Sequence, residues 1–253
     1  MRMDLNADVG EWSSGEGATV DAAVMPHITS ANIACGVHAG DAATMRATVE
    51  LARLHGVAVG AHPALRDPEG FGRRELPVTA SEVERLVVQQ IETLLAIADS
   101  EGVKVRHVKP HGALYAMAAR DGVLADAIVN AVVLLDRSLL VFGPPGSQLM
   151  RACERFGVQG VAEGFADRAY SRDGSLVPRT ESGAVIDEPA RVVERAVRLA
   201  AERTVIAADG SVLRLDVETI CVHGDTPGAA ALAMQIRRAL EDAGVEVRAA
   251  GDQ

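Results

Sequence analysis

Short apolar runs alternate with stretches of helical periodicity along almost the whole chain, and five of those runs end in a cluster of Asp, Asn, His or Lys. Asn6 and Asp8 close the run 3–6, His38 and Asp41 follow 28–35, and His62 follows 57–61. Lys109 and His111 follow 103–108, and His223 and Asp225 follow 218–222. Strand–helix repetition requires parallel strands joined by right-handed crossovers. Strands that end together then gather these clusters on one edge of the sheet, where α/β folds carry their chemistry. The chain reads as an enzyme.

The periodicity predicts strands over 3–7, 28–35, 57–61, 103–108, 139–142, 158–162 and 218–222. Asp41 is a good N-cap for a helix to His55, with Gly56 as its stop. Ser81 and Glu84 fit a capping box for a helix that Gly102 ends. Further helices are expected over 122–135, 147–156, 188–202 and 228–243, with Pro189 and Pro227 at the starts of the last two and Gly244 capping the last. Ala208-Asp209-Gly210-Ser211 signals a hairpin between 204–207 and 212–215. The expected fold is α/β: a distorted or incomplete (β/α) TIM-like barrel, one domain over 1–253, with a β-hairpin insertion near 204–215. A Rossmann sheet fits less well, because polar clusters follow almost every strand and not only a switch point. No Gly-x-Gly-x-x-Gly follows the first strand and no P-loop motif occurs, so any ATP is held in another way.

Composition narrows the function classes. Lys plus Arg is 25 and Asp plus Glu is 35, a net charge of −10. An acidic surface repels phosphate backbones and anionic lipid, which argues against nucleic acid and membranes as partners. Asp136 and Arg137 interrupt the longest apolar candidate for a spanning helix. The N-terminus turns polar at once, and three cysteines without paired spacing (Cys35, Cys153, Cys221) read as reduced thiols, so a cytoplasmic protein is expected.

Asn6 and Asp8 share one face of their strand, so Asp8 can serve as metal ligand, general base or simple loop cap. His38 and His62 form a possible pair from neighbouring strands and, with Asp8, are the candidate metal ligands. Asp41 has a sufficient role as helix cap. Lys109 emerges from an apolar strand, a costly place for an ammonium without a partner, with His111 placed as an acid/base and Tyr115 as a donor. Arg73, between glycine-rich turns, can bind a carboxylate or stay solvated. Asp167 beside Arg168 is either a structural pair or a carboxylate clamp, and Arg179 is a further candidate on the long loop 170–187. Cys221, inside an apolar strand, is a weak nucleophile. His27, His55 and His107 lie outside the Gly-flanked clusters and are read as ordinary.

Together, Asp4-Leu5-Asn6-Ala7-Asp8-Val9-Gly10-Glu11, the segment 29–41, Gly60-Ala61-His62-Pro63 and Gly70-Phe71-Gly72-Arg73-Arg74 resemble the LamB/YcsF family of 5-oxoprolinase A subunits. So do the segments 108–115, 165–170 and 220–225, and the resemblance runs from Met3 to Gly244. Two stretches depart from the family: Trp12-Ser13-Ser14-Gly15 stands where Gly-aromatic-Gly is usual, and Ala64-Leu65 where Gly and an aromatic are usual. The resemblance implies ATP-dependent opening of 5-oxo-L-proline to L-glutamate, two partner subunits B and C, and a barrel related to polysaccharide deacetylases and glycoside hydrolases. On that basis Asp8 or His111 activates water and Lys109 stabilises negative charge on the amide or phosphoryl oxygen. Arg73 or Arg168 holds the substrate carboxylate, and Asn6, Asn32, His38, His62, Tyr115, Asp167 and His223 complete the pocket. A divalent metal is an open addition, Mg with ATP or an ion in the pocket. The rival readings are a stand-alone metal-dependent amide hydrolase or deacetylase built on Asp8, His38 and His62, and a scaffold that only binds a partner.

Overall fold

Seven parallel strands close into a barrel in the computed structural model, which describes residues 1–12, 15–222 and 228–252. The barrel strands are β1 (Arg2–Val9), β2 (Ser30–Ala34), β3 (Ala58–His62), β4 (Val105–Val108), β5 (Leu140–Gly143), β6 (Gly160–Phe165) and β9 (Thr219–Val222). They pair in that order, and β9 returns to β1 through Asp4↔Thr219 to Ala7↔Val222. A short strand β10 (Glu246–Val247) pairs with the start of β1 at Arg2 and Met3. The hairpin β7 (Thr204–Ile206) with β8 (Val212–Arg214) forms a separate antiparallel ribbon. The expected barrel is therefore present with seven staves, and the hairpin interrupts the chain between the sixth and seventh.

Helices α1 (Gly15–Val24), α2 (Ala42–His55), α3 (Ala80–Ser100), α4 (Gly112–Arg120), α5 (Gly122–Leu135), α6 (Gln148–Phe156), α7 (Pro189–Glu202) and α8 (Ala229–Asp242) surround the strands. Local chemistry sets their ends. Asp41 accepts from the Thr44 amide at 2.8 Å, and Gly56 closes α2 in the left-handed conformation. The capping box of α3 is Thr79 with Glu82, two residues before the expected pair. Both pairs satisfy the same spacing, but Thr79 is still extended whereas Ser81 already lies in the helix; Glu84 accepts instead from Asn130 on α5 at 2.7 Å. Four described elements go beyond the sequence expectation: α1, a 3-10 helix over Met25–His27, α4 and β10.

The alternation of β1 explains where the core lies. Leu5, Ala7 and Val9 join the apolar layer between strands and helices, while Asp4, Asn6 and Asp8 meet polar partners within the barrel. TIM-type barrels ordinarily fill that interior with branched apolar side chains. Here a ladder of hydrogen bonds replaces them. Asp4 accepts from the hydroxyls of Thr29 (2.6 Å), Ser30 (2.7 Å) and Thr219, and the Thr219 hydroxyl accepts from Asn6 at 2.7 Å. Burial pushes the Asp4 carboxyl up, against the pull of those hydroxyls. No described helix is long and apolar enough to cross a membrane.

Candidate active site

Lys109 leaves the end of β4 at 3% exposure, and its ammonium is met on every side. Nζ lies 2.9 Å from Asp8 Oδ1, 2.8 Å from Glu163 Oε1, 3.1 Å from Asn6 Oδ1 and 3.1 Å from Cys221 Sγ. Burial disfavours the charge, yet the Asp8 and Glu163 carboxyls beside it hold the Lys109 pKa well above its ordinary value. Conversely, burial alone would raise the Asp8 carboxyl, but His62 and Lys109 beside it keep it well below the usual carboxylate range. Burial keeps the Cys221 thiol protonated despite the neighbouring ammonium, which agrees with its weak standing as a nucleophile.

Above this pair stand three imidazoles. His62, at the end of β3, donates from Nδ1 to the Lys109 carbonyl at 2.7 Å, and its Nε2 lies 3.3 Å from Asp8 Oδ2. His111 donates from Nε2 to the Phe71 carbonyl at 2.8 Å, which turns its Nδ1 to His62 Nε2 at 2.9 Å and to Glu11 Oε1 at 3.3 Å. His38 stacks on His111 with centroids 4.0 Å apart and reaches Glu11 Oε1 through Nε2 at 3.0 Å. Its Nδ1 is buried with no hydrogen-bond partner among the described residues. Burial, reinforced by neighbouring His62, pushes both His38 and His111 down to about 3, so both are neutral near pH 7.

The loop that receives His111 is strained for the purpose. Phe71 holds a positive φ of 54° without being glycine, and its ring edges both His38 and His111. Gly72 follows at φ 66°, where a Cβ would lie 2.9 Å from the His111 ring and 3.0 Å from His38. A side chain at this position would press on the His111 ring and on the Cβ of His38, so the close approach of the loop needs glycine.

Beneath Asp8 the supports are amides. Asn32 donates to Asp8 Oδ1 at 2.9 Å and to Asn6 Oδ1 at 2.7 Å, and Asn6 donates to Glu163 Oε1 at 2.9 Å. Asn32 is held in this orientation by His107, whose Nε2 donates to Asn32 Oδ1 at 2.7 Å while its ring stacks on Phe142. His107 is therefore not ordinary, as its sequence position suggested, but the floor of the site. Burial, then Lys109, pushes it down to about 3. The polar group that sequence reasoning missed altogether is Glu163, within β6. One of its oxygens holds Lys109; the other, Oε2, is buried with no partner among the described residues, as is the hydroxyl of Tyr115. Burial and the nearby Glu163 carboxylate hold the Tyr115 phenol well above its ordinary pKa.

The structure thus brings together Asn6, Asp8, Asn32, His38, His62, Lys109 and His111, with Tyr115 beside Glu163. Glu11, which the sequence offered only as the last residue of the first family motif, joins them. Arg73 is exposed at the rim, its guanidinium 5.0 Å from the Phe71 ring centroid. Arg168 is differently employed: it donates to the carbonyls of Val177 (2.7 Å) and Ala184 (3.2 Å), and Arg195 of α7 donates to the Arg168 carbonyl at 2.8 Å. These bonds tether the segment 170–187, to which Asp167 also contributes its carbonyl, accepting from the Ile186 amide at 2.7 Å. His223 and Asp225 lie outside the described residues. Of the three metal candidates, Asp8 and His62 fall in one cluster with Glu11 and His111, whose ligand atoms all lie within 4.8 Å of one another. His38 touches this cluster through Glu11.

The arrangement offers a fixed positive charge, neutral imidazoles that can take a proton, and carboxylates that can orient water, all at the strand ends of one barrel. Similar proteins point to a single lineage. The chain is 49% identical over 250 residues to the A subunit of 5-oxoprolinase from Symbiobacterium thermophilum, covering 99% of this chain and 96% of that protein. It is 49% identical over 247 residues to the protein of the same name in Streptomyces griseus, covering 98% and 99%. The crystal structure of a lactam utilization protein from Thermus thermophilus superposes with a TM-score of 0.92 at 44% identity, over 98% of this chain and 100% of that one. A polysaccharide deacetylase from Bacillus cereus shares the barrel alone, with a TM-score of 0.51 at 11% identity over 99% and 92% of the two chains. The LamB/YcsF family model matches residues 3–253, and the chain belongs to the LamB/YcsF family.

Proposed function

We propose that the chain is the A subunit of an ATP-dependent 5-oxoprolinase, which opens 5-oxo-L-proline to L-glutamate in a complex with subunits B and C in the cytoplasm. What carries this reading is near-50% identity, over essentially the full length of both chains, to relatives bearing that name. The site chemistry supports it. A five-membered lactam is a stable amide whose nitrogen leaves poorly. Transfer of a phosphoryl group from ATP to the lactam oxygen, with release of ADP, makes the ring carbon electrophilic; water adds there, the C–N bond breaks to free the amine and leave an acyl phosphate, and a second water cleaves that acyl phosphate to carboxylate and phosphate.

In this scheme the positive charge of Lys109, fixed between Asp8 and Glu163, stabilises the negative charge that develops on the amide or phosphoryl oxygen. In this scheme, which uses no pocket metal, His111 or Asp8 takes the proton of the attacking water; burial, which pushes His111 down to about 3, keeps it unprotonated but makes it a weak base. Arg73, exposed at the rim, or Arg168, which also holds the loop carbonyls, binds the substrate carboxylate. Asn6, Asn32, His38, His62, Tyr115 and His223 complete the pocket, and Mg accompanies ATP. The nucleotide is assigned to the complex as a whole.

The experiment is co-expression with the partner subunits and measurement of glutamate release from 5-oxoproline with and without ATP. Release that requires both ATP and the partners supports the reading; a complex inert toward 5-oxoproline removes it. One observation favours the second reading, a metal-dependent hydrolase acting alone: the two imidazoles and two carboxylates gathered at Asp8, Glu11, His62 and His111. ATP-independent amide cleavage by the isolated chain would select it.

A further inference from the structure

We infer that Asp8, Glu11, His62 and His111 form a site for one divalent transition-metal ion of the zinc, iron or cobalt kind. The argument begins with two nitrogens. Each ring has committed its other nitrogen as a donor to a backbone carbonyl, Lys109 for His62 and Phe71 for His111. The nitrogens that remain, His62 Nε2 and His111 Nδ1, then face each other at 2.9 Å with their lone pairs. Two acceptors do not rest at that distance unless a proton or a cation lies between them.

The carboxylates decide between the two. A proton held on one of these nitrogens accounts for the other nitrogen and at most one carboxylate beside it. Here Asp8 Oδ2 stands 3.3 Å from His62 Nε2, and Glu11 Oε1 stands 3.3 Å from His111 Nδ1 and 3.9 Å from His62 Nε2. Metal bonds of about 2.0–2.2 Å put neighbouring ligand atoms of a tetrahedron or octahedron about 2.8–3.6 Å apart. The three closest separations fall in that window, and the 3.9 Å separation suits a wider ligand angle. The surroundings match as well. Imidazoles that bind metal give their second N–H to a carbonyl or carboxylate, as both do here. Asp8 keeps Oδ2 for the ion because Asn32 and Lys109 occupy Oδ1. Asp8 and Glu11 supply two carboxylate oxygens to the same cluster, the oxygen donors that such an ion takes beside imidazole. Imidazole ligands select borderline metals over Mg2+, which prefers oxygen throughout.

The site stands whichever substrate the chain takes, so its test uses no turnover. Full-length protein freed of metal with a chelator is titrated with Co2+ alone, followed by calorimetry and visible absorption. The expected result is saturation at one Co2+ per chain, the absorption bands of a low-symmetry site without thiolate, and displacement by Zn2+. Glu11→Gln and His111→Gln each weaken binding by about tenfold or more, the loss that even supporting residues cause, with unchanged circular dichroism. Cys153→Ser, on α6, binds as wild type. No saturable Co2+ or Zn2+ binding, or binding that survives the double substitution, overturns the inference. So does a nitrogen NMR signature of one proton shared by His62 and His111 that added Zn2+ leaves unchanged.

Discussion

The support beneath Asp8 depends on one missing methyl group. A Cβ on Gly60 would lie 2.1 Å from His107 Nε2 and 2.2–2.4 Å from two ring carbons. The ring has nowhere to go: it is 1% exposed, stacks on Phe142 at 4.3 Å, and donates to Asn32. Gly60 does not hold a positive φ, so Gly60→Ala meets a steric penalty and no backbone one. Overpacking a closed interior costs about 1–3 kcal/mol, and stripping Asn32 Oδ1 of its buried donor costs about 1–3 kcal/mol more. Gly60→Ala should therefore lose about 2–6 kcal/mol in urea denaturation at pH 7. The double-mutant cycle identifies the cause. In a His107→Ala background the collision partner is gone, and Gly60→Ala should be neutral or gain about 0.4–1 kcal/mol from the stiffer unfolded chain. The coupling energy then has a magnitude of about 2 kcal/mol or more, with the double variant more stable than additivity predicts. If Gly60→Ala costs as much without the imidazole as with it, the reasoning fails.

Three further expectations concern single side chains. Lys109→Met leaves Asp8 and Glu163 buried without their cation and should cost about 3–5 kcal/mol in urea denaturation at pH 7; a cost under about 1 kcal/mol would show that the ammonium is not held as described. His107 titrates near 3 when folded against an ordinary 6.5, so the unfolded chain binds the extra proton between those values. Its contribution is complete above 6.5 and is lost as pH falls, which makes wild type lose about 2 kcal/mol more than His107→Gln between pH 7 and 5; parallel stability curves would refute this. Arg168→Met removes two buried charge-assisted bonds to the loop carbonyls, each worth about 1.5–3 kcal/mol, so limited proteolysis within 170–187 should accelerate about tenfold or more. A variant that instead resists protease as wild type does, while losing affinity for a carboxylate substrate, would assign Arg168 to substrate binding.

Why some of this was legible in the sequence and some was not follows from strand geometry. Asp4-Leu5-Asn6-Ala7-Asp8-Val9 shows its two faces openly, and residues just past a strand end, such as His62, Lys109 and His111, stand out against the apolar run before them. The same contrast hides polar residues inside a strand. His107 and Glu163 sit among Val105, Val108, Val161 and Phe165, where an imidazole or carboxylate resembles an accident. The signal was nonetheless available as a period of two: once Lys109 points inward, so does His107, and once Phe165 does, so does Glu163. A barrel with a polar interior is the case in which that rule outranks hydropathy. Arg168 marks the other boundary. Nothing in Asp167-Arg168 distinguishes a guanidinium reaching a substrate carboxylate from one reaching the carbonyls of Val177 and Ala184, because the choice is made by a loop whose path depends on Arg195, 27 residues away along the chain. Spacing reveals which side chains share a face; which partner each one finds is settled only when distant segments close around it.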